Sequence, residues 1–233
     1  MKLLFYILVF SVFANPGFAE DLIPSPQEIL DRVEASFEKI DDYVVILEEA
    51  IRMEGVKVPK TKAILYYKKP NKIHIESKGI MFIPKQGMVI NPSYYLKRYF
   101  MPLNTEEEIV KGTKFYKLIL IPKEEGLSKK ITLWVESKYW SIKKIKITGF
   151  GGGSVLVHIE YTMVKGKYWL PKSTLVELDI PAKTPRPEIF DYFGELDARK
   201  EKKPSKPKKG IVSILFKNYK VNTGLPDKIF KKR

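Results

Sequence analysis

Residues 131–178 read ITLWVESKYW SIKKIKITGF GGGSVLVHIE YTMVKGKYWL PKSTLVEL. Ile131, Leu133 and Val135 alternate with Thr132, Trp134 and Glu136, and Ile145 and Ile147 alternate with Lys144 and Lys146. Val155, Val157, Ile159, Tyr161 and Met163 alternate with Leu156, His158, Glu160 and Thr162. Thr174, Val176 and Leu178 alternate with Leu175, Glu177 and Asp179. A period of two sends successive side chains to opposite faces of a sheet. Ser137-Lys138 and Lys165-Gly166-Lys167 fall between the runs, where hairpin turns are expected. The stretch predicts a curved antiparallel sheet with one apolar and one charged face. What covers the apolar face is the functional question.

The flanks supply candidates for that cover. Ser25-Pro26-Gln27-Glu28 is a capping box with proline at the first helical position. Ile29, Leu30, Val33, Phe37 and Ile40 then recur at helical spacing, which predicts one amphipathic helix of about four turns. Strands are expected over 43–53, 62–68 and 72–77, and a hairpin around Pro84-Lys85-Gln86-Gly87. The parity of Tyr43, Val45, Leu47, Ile51 and Met53 is interrupted by Glu49. Asn91-Pro92-Ser93 predicts a short helix carrying Tyr94, Tyr95, Leu96, Tyr99, Phe100 and Met101. Thr105-Glu106-Glu107-Glu108 predicts the start of a second. Strand rhythm resumes at 115–121 and again at 211–219.

At 233 residues, 44% apolar and 12% aromatic, the chain is long enough for one domain with a full core. Lysine and arginine number 42 against 27 acidic residues, a formal charge of +15 that favours anionic partners. Met1-Lys2, the apolar run Leu3–Phe13 and the small residues Gly17 and Ala19 read as a secretory signal over 1–19, cut before Glu20. The run is too short for a comfortable membrane span. Export argues against nucleic acid despite the charge. The chain has no cysteine, hence neither a disulfide nor a lipid-bearing thiol at the cut. Residues 20–233 are then one domain, with a basic, Pro/Lys-rich insertion at 181–210. Arg199, Lys200, Lys202, Lys203, Lys206, Lys208 and Lys209 face only Glu201 within it.

Chemistry-bearing constellations are few. His74 and His158 stand alone on strands without ligands at metal spacing. Gly149–Ser154 lacks the lysine and helix of a phosphate loop. Adjacent glutamates such as Glu48 and Glu49 imply no acid/base pair, and there is no nucleophile elbow. The expectation is a non-enzymatic protein without cofactor or metal.

Three segments resemble a known family. Tyr66-Tyr67-Lys68-Lys69-Pro70-Asn71-Lys72-Ile73-His74-Ile75-Glu76 is similar to the Lys-Pro hairpin of the LolA-like outer-membrane lipoprotein-sorting proteins. Leu133-Trp134-Val135-Glu136 through Ile142-Lys143-Lys144-Ile145 resembles that family's Trp-Val hairpin, with Glu136-Ser137-Lys138-Tyr139-Trp140 in place of its acidic-x-Pro turn. The ending from Phe216 to Phe230 looks like the family's closing segment. The resemblance implies an α+β fold: a curved antiparallel sheet forming an unclosed β-barrel, covered by the N-terminal amphipathic helix and short lid helices. It implies a soluble periplasmic carrier that shields lipoprotein acyl chains or other lipids. Its partners would be an inner-membrane ABC transporter, an outer-membrane acceptor and transiently an anionic membrane. A sensor or interaction protein of the same fold, acting on an envelope partner, is the alternative.

On this view Phe37, Leu47, Arg52, Tyr95, Leu96, Tyr99, Phe100, Met101 and Trp134 are the candidate cavity and lid residues. Arg52 is the counterpart of a family arginine near the start of the sheet. Lys200, Lys202, Lys203, Lys206, Lys208 and Lys209 are a candidate basic surface. A lid that swings should bury its aromatic residues only partly when empty. Phe100→Ser is then expected to cost more in lipid binding than in stability.

Overall fold

A computed structural model describes residues 23–53, 59–79, 81, 92–123, 129–149, 153–181 and 208–231. The Ser25 hydroxyl accepts from the Glu28 amide at 3.2 Å, and Pro26 opens helix α1 (Pro26–Ser36). Phe37 caps the helix and Ile40 lies beyond it. Eleven residues make about three turns, not the expected four. The apolar stripe is still continuous, because the turn after Ser36 brings Phe37 and Ile40 into the same core as Ile29, Leu30 and Val33.

Strands follow as β1 (Asp42–Met53), β2 (Thr61–Lys68) and β3 (Lys72–Ser77). Helix α2 (Pro92–Tyr99) leads directly into β4 (Phe100–Val110). The meander continues with β5 (Thr113–Pro122), β6 (Lys129–Glu136), β7 (Ser141–Gly149), β8 (Ser154–Val164) and β9 (Tyr168–Ile180). Strand β10 (Lys208–Val221) and a 3-10 turn (Asp227–Phe230) end the described chain. All ten strands form one antiparallel sheet in the order β3-β2-β1-β10-β9-β8-β7-β6-β5-β4. The sheet does not close, since β3 and β4 are its two edges. No helix among the described residues is long and apolar enough to cross a membrane.

Three expectations are corrected here. Thr105-Glu106-Glu107-Glu108 does not start a helix; it lies inside β4. Opposite it on β5, Lys117 reaches Glu106 at 2.8 Å and Glu108 at 3.4 Å, while Lys114 reaches Glu107 at 3.2 Å. Cross-strand charge pairs and a ladder of backbone bonds outweigh a helix-start signal worth about 1 kcal/mol. Phe100 and Met101 likewise open β4 and are not part of α2. Lys208, Lys209 and Gly210 are strand residues paired with Ile180, Asp179 and Leu178, so the stretch joining β9 to β10 is shorter than 181–210. The hairpin expected at 84–87 lies outside the described residues.

The alternation read from 131–178 holds along the sheet. Ile131, Leu133, Val135, Ile145, Ile147, Val155, Val157, Val176 and Leu178 are buried on one face, joined by Val45, Leu47, Leu65, Leu118, Leu120, Val212 and Ile214. Bulges break the register at Leu103, Lys143 and Lys172, where one strand carries an extra residue against its neighbour. A fourth lies in β10 at Asn218, whose φ is +57°. It reverses the parity, so Val212, Ile214 and Phe216 and then Tyr219 and Val221 all face the core. Bulges bend a strand and increase its twist, which is what a curling sheet requires.

The start of β1 is tied down by the segment that follows β10. The Asp42 carboxylate, 3% exposed, accepts from the amides of Thr223 (2.8 Å), Gly224 (2.8 Å) and Leu225 (3.1 Å) and from the Thr223 hydroxyl (3.1 Å). Gly224, at φ +75°, makes the turn that aims these amides at one carboxylate. Asn222 adds a bond from the Asp41 amide at 2.9 Å and one to the Lys39 carbonyl at 2.9 Å.

Candidate functional site

The apolar face is the inner wall of the sheet, and α1 and α2 are the helices packed over it. Helix α1 lies against α2, β4 and β7. Its inner side presents Ile29, Leu30 and Val33; α2 contributes Leu96 at 0% exposure, and Phe100 follows at 2%. Its outer side carries Asp31 and Glu34, three residues apart, and both reach Lys97 of α2. Lys97 Nζ stands 2.5 Å from Asp31 and is also hydrogen-bonded to Glu34. Lys123, just after β5, donates to the Lys97 carbonyl at 2.6 Å. Two short helices are thus fastened to each other by an ion-pair latch and held to the wall by apolar contact.

The latch has a pH signature. The Asp31 carboxyl is held below its ordinary range, first by the hydrogen bond from Lys97 and then by that from Gln27. Burial pushes the Lys97 ammonium down, but its bonds to Asp31 and Glu34 outweigh that and raise it. A depressed carboxyl is charged above its unfolded pKa, about 3.9, and loses its pairing as pH falls through the lower native value. The Asp31–Lys97 pair is therefore present above the unfolded pKa of Asp31 and is lost only as pH falls through its lower native value.

The structure divides the candidate residues. Phe37, Leu47, Leu96 and Phe100 are brought together in the core under the helices. Leu96 and Phe100 are fully covered, contrary to the expectation of partial burial, because α2 turns straight into β4 and drives both inward. Tyr99 (38% exposed) and Met101 (48%) point to the surface instead. The Tyr95 side chain lies outside the described part.

Arg52 is not on the inner wall. It is exposed between Ile51 and Met53, opposite Ile211 on the outer face. Trp134 is also on the outer face. Its Nε1 donates to Glu108 at 3.0 Å, and the Lys144 ammonium sits 4.3 Å from its ring. Lys209 is exposed on β10. Lys208 is described in its backbone alone, and Lys200, Lys202, Lys203 and Lys206 lie outside the described residues.

Two groups of residues had escaped notice as a site. The Asp31/Glu34/Lys97 latch could have been suspected from two acids at i and i+3 on the polar side of α1. Glu49 and Thr174 are buried polar residues on the inner wall, both at 2% exposure. A surface depression of ≈ 440 Å³ at the far end of the strands from the start of β4 is lined by Asn71, Lys72, Ile73, Asp227, Phe230 and Lys231. Its carboxylate, Asp227, is held at about 2 by hydrogen bonds first from Lys68 and then from Lys72, which leaves it no proton to exchange near neutrality.

No protein-family model matches the sequence, and no curated protein matches it. Solved structures do match over most of the chain. A LolA superfamily protein from Nitrosomonas europaea is 13% identical, with a TM-score of 0.59 over 90% of this chain and 99% of its own. A DUF1329 family protein from Desulfovibrio piger is 13% identical, with a TM-score of 0.56 over 88% of this chain and 95% of its own. A domain described as an outer membrane lipoprotein-sorting protein, from Vibrio parahaemolyticus, is 13% identical, with a TM-score of 0.51 over 87% of this chain and 94% of its own. The chain has the fold of the LolA superfamily: an unclosed antiparallel barrel whose apolar inner wall is covered by helices.

Proposed function

We propose that the protein is a non-catalytic periplasmic carrier that shields acyl chains, of lipoproteins or of other lipids, against the inner wall of its sheet. The observation that carries this reading is the cover. A ten-strand apolar wall is roofed in the described chain by two helices of 11 and 8 residues, fastened to each other by partly exposed charges. Exposed ion pairs contribute about 0–1 kcal/mol, so the roof is held mainly by burial. Lifting Leu96 and Phe100 out of the core costs roughly 1.5–3 kcal/mol each. An incoming chain returns about 0.8 kcal/mol per buried methylene, so on the order of six methylenes offset the loss. A full acyl chain exceeds that, and the roof can open for a lipid while staying shut without one. The Vibrio parahaemolyticus domain of like fold supports the same direction. Donor and acceptor proteins at the inner and outer membranes would follow from such a role.

Lipids extracted from protein purified without detergent, identified by mass spectrometry, test the proposal together with displacement of a fluorescent fatty acid. Bound lipid and saturable probe binding are expected; no lipid and no probe binding would overturn it. The latch gives a finer check. Lys97→Met should speed probe uptake several-fold and lower the melting temperature by only about 2–4 °C, the change for about 1 kcal/mol. Unchanged uptake in stopped-flow fluorescence would mean that α1 and α2 do not separate when lipid enters.

A further inference from the structure

The strand order places three hairpin tips side by side at one end of the sheet. They join β4 to β5, β6 to β7 and β8 to β9. Successive tips are two strands, or about 10 Å, apart. The three read Ile109-Val110-Lys111-Gly112-Thr113, Ser137-Lys138-Tyr139-Trp140 and Val164-Lys165-Gly166-Lys167-Tyr168, each with lysine and none with an acid. Lys111, Lys138, Lys165 and Lys167 are all exposed. Among the described residues none of the four forms an ion pair. Farther along β5, Lys114 and Lys117 are by contrast paired with the glutamates of β4. At the β2–β3 tip of the same end, Lys69 is drawn back to the Glu38 carbonyl at 2.5 Å. The unpaired charge therefore belongs to the three tips of the meander.

Two of these lysines stand where the turn itself favours another residue. Lys111 (φ +49°) precedes Gly112 (φ +76°), and Lys165 (φ +51°) precedes Gly166 (φ +64°). Two successive positive φ values belong to the tight hairpin turn whose favoured pairs are Asn-Gly and Asp-Gly. Asparagine tolerates this backbone region better than lysine does. A tip built for stability alone would read Asn-Gly; this chain has Lys-Gly twice.

Apolar side chains stand exposed beside the lysines. Ile109 is 69% exposed and Val110 49% at the first tip, and Met163 is 46% exposed at the approach to the third. Tyr139 and Tyr168 are partly buried, and the ammonium groups of Lys138 and Lys167 lie 5.2 and 5.3 Å from their ring centroids. Tyr139 stacks on Trp169 of β9 at 4.4 Å, which ties the second tip to the third. A polynucleotide would pair with the lysines and leave Ile109 and Val110 in water. A bilayer surface uses both: anionic headgroups meet the ammonium groups, and the apolar and aromatic side chains enter the interface.

We propose that this three-tip rim docks the protein end-on to an anionic membrane surface. The proposal stands apart from the carrier reading, since no residue of the inner wall enters it. Sedimentation with phosphatidylcholine vesicles, with and without phosphatidylglycerol, at low salt tests it. The parent should bind only the vesicles that contain phosphatidylglycerol, and salt should weaken the binding. A lysine near such a surface is worth about fivefold in affinity. The variant carrying Lys111→Asn, Lys138→Gln, Lys165→Asn and Lys167→Gln should therefore bind about a hundredfold more weakly or worse. Its melting temperature should be unchanged or raised, because asparagine suits both turns. A control variant with the same change in charge, Lys78→Gln, Lys130→Gln, Lys146→Gln and Lys209→Gln, alters exposed lysines outside the three tips and should lose less than about tenfold. Ile109→Ser combined with Val110→Ser should weaken vesicle binding several-fold and leave binding of duplex DNA as it is in the parent. Equal losses in the rim and control variants, or a parent indifferent to phosphatidylglycerol, would overturn the docking rim. Vesicle binding unchanged by the two serines would overturn the membrane as the partner.

Discussion

Phe100→Ala should lower stability by roughly 3–5 kcal/mol, the usual cost of emptying a fully buried phenylalanine site. In a domain of this size that is a fall in melting temperature on the order of 10 °C. Phe100 is 2% exposed at the junction of α2 and β4, packed in the same core as Leu96, Leu118 and Leu120. It cannot retract without carrying the end of α2 with it. Met101→Ala, one residue on, is expected within about 0.5 kcal/mol of the parent, because that side chain stands half in solvent. Differential scanning calorimetry of the two variants checks the contrast. A Phe100 variant as stable as the Met101 variant would show a loosely seated residue, and the roof would then need no lipid to open. The expectation drawn from sequence, that Phe100→Ser would hurt binding more than stability, rested on partial burial, and Phe100 is fully buried.

Asp42→Ala should cost roughly 3 kcal/mol, since hydrogen bonds to a charged group are worth about 1.5–3 kcal/mol and several backbone amides lose their acceptor together. The Asp42 carboxyl is pushed up by burial, but the bonds from Thr223, Leu225 and Gly224 outweigh this and hold it below its ordinary value. Stability from a lowered carboxyl is fully present above the unfolded pKa and disappears as pH falls through the native one. Melting temperature should therefore decline below about pH 4, more steeply for the parent than for Asp42→Asn. Parallel declines would place the acid sensitivity elsewhere. Hydrogen exchange should also show the amides of Gly224 and Leu225 losing protection in the alanine variant.

The wall was legible in the sequence because period-two alternation is a local signal that survives any tertiary arrangement. The same rule contradicts the cavity role given to two residues on the family resemblance. Trp134 alternates with Leu133 and Val135, and Arg52 with Ile51 and Met53; both belong outside by parity, and both are outside. The interruption at Glu49 and the position of Thr174 beside Val176 could also be read. The glutamates of β4 could not, because they signal a helix start until Lys114 and Lys117 are known to lie opposite. Nor could the bulge at Asn218, which moves Tyr219 onto the inner wall by an inserted residue that no alternation rule anticipates. The α1–α2 latch needs two helices brought together from residues 31, 34 and 97, which pattern alone does not supply.

Strand β10 lies between β1 and β9, with Tyr43 opposite Val221 and Val176 opposite Val212. Among the described strands β10 is thus the one that joins the first three to the six of the meander. Until it arrives the chain can form only two separate sheets, each with an additional raw edge. Residues 43 and 221 pair across most of the described sequence, which predicts slow folding. A chain emerging from a ribosome or a translocation pore would hold the two parts apart until β10 had followed. During that interval the inner surfaces of β1 and β9 lack their shared neighbour, and it is then, rather than in the finished protein, that a chaperone would be most needed.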